Sequence, residues 1–161
     1  MDYFRQNPHR LQLGNIGLEI IRKNNALATI DDIKNIRQQL DMWTGEVISR
    51  FTVEDIPVEV ITYAHQQQDA IAVKIQSPLL KQNRLQVRIH FPYPNGAFKD
   101  VGINDDNSTK HTSVVEEKND RNGLIRHTLD TTTYYVAATC NTSMSLQQRK
   151  THDFLLAPAA S

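Results

Sequence analysis

The chain holds a single cysteine, Cys140, among 161 residues, so no intramolecular disulfide can form. Cys140 ends the apolar run that starts at Tyr134, and nothing around it would stabilise a thiolate, so it reads as a buried, inert thiol. Charge of one sign is not in excess: Lys plus Arg and Asp plus Glu both number 18. That balance, with no basic stripe, excludes a dedicated nucleic-acid binder, whose affinity comes mainly from clustered positive charge. No segment approaches the ~18–20 consecutive apolar residues that a membrane-spanning helix needs. The N-terminus Met1-Asp2-Tyr3-Phe4-Arg5 lacks the apolar core of a signal peptide. The six glycines are scattered, and the nucleophile elbow, the P-loop and the dinucleotide-binding glycine pattern are all missing.

What the sequence does have is alternation. Val47, Ser49, Phe51 and Val53 recur with period two, and Val58, Val60 and Thr62 repeat it after an expected turn at Glu54-Asp55-Ile56-Pro57. Ile71, Val73 and Ile75 form a third set, and Leu85, Val87, Ile89 and Phe91 a fourth. One apolar and one polar side per strand is the pattern of antiparallel sheets with a wetted face. A further pair is predicted at Gly123–Asp130 and Thr132–Asn141, and a last strand at His152–Leu156, closed by Pro158. The polar stretch Asn104–Asn122, broken by Thr112, Val114 and Val115, reads as a short strand between two solvated loops. Ile30, Ile33, Ile36 and Leu40 fit helical spacing, yet Ile36, Leu40 and Met42 also fit period two, so the residues alone leave this segment open. A chain of this size is predicted to be one all-β domain over 1–161, an antiparallel β-sandwich.

Chemistry is sparse. The histidines at 9, 65, 90, 111, 127 and 152 show no close ligand spacing, so scattered structural roles and no metal site are expected unless tertiary contact unites them. Asp41 and Asp130 lie within or beside apolar strands and are expected to cap backbone N–H groups rather than to form an acid–base pair. No catalytic residue and no cofactor site is identifiable. Trp43 follows Leu40-Asp41-Met42 and precedes Thr44-Gly45, which places it at a strand end beside a turn. It is the leading candidate for contact with a sugar or a partner, grouped with His9, Arg10 and Tyr93.

The run Ile36-Arg37-Gln38-Gln39-Leu40-Asp41-Met42-Trp43-Thr44-Gly45 carries a resemblance, together with Val47, Phe51, Pro57-Val58, His65, Asp69-Ala70-Ile71 and Phe91-Pro92-Tyr93-Pro94. It resembles the amino-terminal β-sandwich (super-sandwich) of bacterial six-hairpin glycosidases, the α-L-fucosidase-like and maltose-phosphorylase-like enzymes with an (α/α)6 catalytic barrel. The resemblance implies one turn of helix near Asp31–Lys34 and then a strand from about Asn35. It also implies a non-catalytic module whose partner is its own catalytic barrel, absent from this chain, and a parent glycoside hydrolase working in the periplasm or outside the cell. The alternative is a free-standing carbohydrate-binding, lectin-like or protein-interaction sandwich.

Overall fold

The computed structural model of the chain describes residues 12–93 and 107–159. Among them the strands are β1 (Asn15–Ile20), β2 (Ile33–Asp41), β3 (Glu46–Val53), β4 (Ile56–Ala64), β5 (Ile71–Gln76), β6 (Leu85–His90), β7 (His111–Lys118), β8 (Asn122–Leu129), β9 (Thr132–Thr139), β10 (Met144–Lys150) and β11 (Asp153–Pro158). Among the described residues one α-helical turn, α1, spans Pro78–Lys81, with the Ser77 hydroxyl accepting from Leu79 N–H as its cap. The fold is all-β and sandwich-like, with three antiparallel sheets ordered β1-β6-β11-β10, β2-β3-β4-β5 and β7-β8-β9. By its internal contacts the chain divides into two compact units, Glu19–Gln86 and Met1–Leu18 with Val87–Ser161.

The Glu19–Gln86 unit is built on the meander β2 to β5. A 3-10 turn at Ile30–Asp32 precedes β2, with the Asp32 carboxylate accepting from the Thr29 backbone N–H and hydroxyl, as in a capping box. The turn joining β3 to β4 is shorter than the expected Glu54–Pro57. Only Glu54 and Asp55 form it, both in the left-handed region at φ 49° and 63°, and Ile56 and Pro57 already belong to β4. A two-residue turn of that hand matches the twist of the strands it joins. Val53 and Ile56 close it, so Pro57, opposite Thr52, directs its missing N–H away from β3. Pairing with β5 begins only at Glu59, so that proline interrupts no ladder bond.

In the other unit β6, β11 and β10 face β7, β8 and β9 across a shared core. Ile89, Phe91, Ile125, Leu146 and Phe154 are buried there, with Val115, Tyr134, Val136, Ala138 and Leu156 packed against them. Phe91 meets Phe154 edge-on at 5.9 Å between ring centroids, a favoured aromatic geometry. Burial along β8 alternates strictly through Gly123, Ile125, His127 and Leu129. The reading of Asn104–Asn122 as loops around a short strand is corrected for its described part. β7 is eight residues long, and Asn119–Arg121 is a tight turn in which Asn119 Oδ1 accepts from the N–H groups of Arg121 and Asn122. Ladder bonds to β8 stabilise these polar residues as strand, because its buried face needs only His111 and Ser113.

Candidate functional site

The sequence-predicted residues separate. Trp43 lies in the Glu19–Gln86 unit and Tyr93 in the other, while His9 and Arg10 fall outside the described residues. Trp43 sits on the turn between β2 and β3. There Asp41 Oδ1 accepts from the N–H groups of Trp43 at 2.8 Å and Thr44 at 3.3 Å, and Gly45 N–H donates to the Asp41 carbonyl at 2.9 Å. Gly45 has φ 72°, a left-handed conformation that glycine adopts without a Cβ penalty. The two backbone donors, Trp43 first, hold the Asp41 carboxyl below its ordinary range. Asp41 is thus a turn cap, as expected, and what it presents is an indole ring 95% exposed. Next to this turn Thr44, Tyr63, His65, Gln67 and Ile71 line an open groove.

The same sheet exposes an apolar face. Register aligns Leu40, Val47, Thr62 and Val73 in one row across the four strands, and Ser49, Val60 and Ile75 in the next row on the same side. At the far end of that face Val53 and Val58 are fully buried. At the near end Leu40 is 54%, Ile71 52% and Val73 42% exposed. The opposite face carries Arg37, Arg50, Glu59, Lys74 and Gln76, with Arg50 Nε donating to Glu59 at 2.6 Å. That opposite side also holds Ile48, Ile61 and Tyr63, while Gln38, Ser49 and Thr62 interrupt the apolar residues of the first.

Tyr93 belongs to a different assembly. Its hydroxyl donates to Asp130 Oδ1 at 3.4 Å, and its ring lies 5.5 Å from that of His111. Behind it three of the six histidines converge, although the sequence spacing scatters them. His111 comes from the first position of β7, His127 from the middle of β8, and His152 from the residue before β11. All three are buried, and one ring nitrogen from each lies within 4.8 Å of those of the others. Ser113, two residues along β7 from His111, stands between rings: its Oγ is 2.7 Å from His127 Nδ1 and 2.8 Å from His152 Nδ1.

Proton positions follow for neutral rings. His152 Nε2 lies 2.8 Å from the Ser108 carbonyl, which can only accept, so His152 carries its proton there and its Nδ1 accepts from the Ser113 hydroxyl. Ser113 Oγ then accepts from His127 Nδ1–H, which leaves the His127 Nε2 lone pair 3.4 Å from His111 Nδ1. Burial, with repulsion from any charge on His111 or His152, pushes His127 down to about 4. Phe91 stacks on the His127 ring at 4.6 Å and walls the cluster from the apolar core. Neither His111 nor Ser113 stood out by linear spacing. The signal lay in phase: His111 and Ser113, and His127 with Ile125 and Leu129, occupy inward positions of alternating strands.

No protein-family model, no curated protein and no solved structure matches this chain.

Proposed function

We propose that the chain is a non-catalytic docking module, the role that N-terminal sandwiches play in six-hairpin glycosidases, with the β2–β5 sheet covering an apolar helical surface of a catalytic barrel. The observation that carries this reading is the exposure of Leu40, Ile71 and Val73, which lie on one side of the sheet together with Val47 and Thr62. Monomeric proteins seldom leave such patches uncovered, and burying them on a partner stabilises a complex by about 25 cal/mol per Å² before the costs of association. On this reading the module's contribution is contact and shaping.

The test is a calorimetric titration of the chain with a six-hairpin glycosidase barrel stripped of its own sandwich. Binding is expected, and expected to be lost in Leu40→Glu and Val73→Lys but kept in Lys74→Ala on the opposite face. No binding, or binding indifferent to Leu40 and Val73, overturns the reading. The exposed Trp43 indole beside the Thr44–Tyr63–His65 groove favours a second reading, direct sugar contact. Oligosaccharide binding by the chain alone, abolished in Trp43→Ala, would put that reading in front.

A further inference from the structure

We propose that His111, His127 and His152 form a binding site for a first-row divalent transition metal, Zn2+ foremost, inside the sandwich of β6, β11 and β10 with β7, β8 and β9. The positions concerned are inward ones, which elsewhere in this core hold Ile125, Leu146 and Phe154. Three imidazoles at one level of a core are expensive to desolvate and bring nothing to apolar packing that leucine would not. Their mutual arrangement has to account for their presence.

Hydrogen bonds through serines hold two of the three rings. The links through Ser113 and Ser108, at 2.7–2.8 Å, are of ordinary length. His111 Nδ1 to His127 Nε2, at 3.4 Å, is long for an N–H···N bond. It is, however, the length of one edge of a tetrahedral site: two nitrogens about 2.05 Å from Zn2+ at the tetrahedral angle stand about 3.4 Å apart. The ligand nitrogens lie within 4.8 Å of one another, and the His111 and His152 rings stack at 3.5 Å between centroids, so convergence on one ion requires these two rings to turn out of their stack and close by up to about 1.4 Å toward that edge length.

Protonation is also suited. His127 has its Nδ1–H committed to Ser113 Oγ, so the free lone pair is the one at Nε2, facing His111. His152 has its Nε2–H committed to the Ser108 carbonyl, so Nδ1 is its ligand atom, and it reaches the metal by exchanging the Ser113 hydroxyl for it. Such fixing of the second ring nitrogen by a hydroxyl or carbonyl is how histidine ligands are oriented in metal sites. An all-imidazole set with no carboxylate suits Zn2+, Cu2+ or Ni2+ and disfavours Mg2+ or Ca2+. Three protein ligands leave one tetrahedral position for a water or a small exogenous ligand.

The experiment uses the whole chain, freed of metal with EDTA and dialysed, then titrated with CoCl2 and ZnCl2. One equivalent of Co2+ is expected to give visible d–d bands of tetrahedral intensity, displaced by Zn2+, and Zn2+ is expected to raise Tm. His111→Gln and His127→Gln are expected to lower affinity more than about 100-fold, Ser113→Ala by about 10–100-fold, and His65→Gln not at all. Should the histidine variants fail to fold, the wild type decides through its imidazole 15N resonances. Zn2+ must shift His111, His127 and His152 and leave His65 and His90 in place. Absence of the cobalt bands at one equivalent, or 15N shifts confined to His65 and His90, overturns the proposal.

Discussion

Replacing Gly123 by alanine puts a methyl group against Leu146, between the two sheets. An ideal Cβ on Gly123 of β8 falls 2.5 Å from Leu146 Cδ2 of β10, with Leu146 Cγ at 3.5 Å. Comfortable carbon–carbon contact is about 3.5–4.0 Å, so the leucine methyl must retreat by at least about 1 Å. Leu146 is buried in the cluster of Ile89, Ile125 and Phe154, where a retreat means an off-rotamer side chain or a shifted strand. Overpacking of this kind costs about 1–3 kcal/mol, against which the reduced entropy of the unfolded chain returns about 0.4–1 kcal/mol. A net loss of up to about 2.6 kcal/mol is expected, or up to about 10 °C in Tm at this chain length. A double-mutant cycle isolates the cause. Leu146→Ala alone should cost about 2–5 kcal/mol, and Gly123→Ala added to it should then be neutral or stabilising. Chemical denaturation monitored by circular dichroism reads all four proteins. An equal cost for Gly123→Ala in both backgrounds would refute the face-to-face packing of β8 on β10.

Trp43→Ala should change stability by no more than about 0.5 kcal/mol, because the ring is almost wholly solvated, and wild-type emission should be red-shifted and fully quenched by iodide. A blue-shifted, unquenchable emission with collapse of the variant would mean that the indole is core. Asp55→Gly should stabilise by about 0.5–1 kcal/mol, since Asp55 holds φ 63° against its Cβ, and urea midpoints would show it. Asp41 has its carboxyl lowered in the folded state, so its contribution is complete above the unfolded carboxylate range and lost as pH falls through the folded value. The Tm gap between wild type and Asp41→Ala should therefore narrow on acidification below about pH 4, and a gap that widens contradicts the cap.

The β character of the chain was legible because apolar residues recur at period two in β3, β4, β5 and β6, where one face is buried or at least apolar. The 3-10 turn and the strand after it follow the expectation that set helix near Asp31 and strand from Asn35, with β2 starting two residues earlier at Ile33. β10 escaped notice because Met144 and Leu146 are its only inward apolar residues and Gln147–Lys150 are polar. Its pairing with β11 is a long-range fact with little local imprint. The histidine cluster escaped for a related reason. Its members are 16 and 25 residues apart along the chain and meet only when β7, β8 and the start of β11 are brought together. Trp43, in contrast, was locally determined: the Asp41 cap and the Gly45 turn expose it from within the hairpin itself.

The proposed docking role requires the β2–β5 sheet to meet its partner with the face that carries Leu40 and Val73. Methyl NMR reads that face directly, because the two sides of the sheet carry different reporters. On adding the glycosidase barrel, the methyl resonances of Leu40, Val47, Ile71 and Val73 should shift, while those of Ile48 and Ile61, which register places on the opposite side, should stay in place. Shifts at Ile48 and Ile61 with Leu40 and Val73 unmoved, or no shift at any of them, would contradict the account.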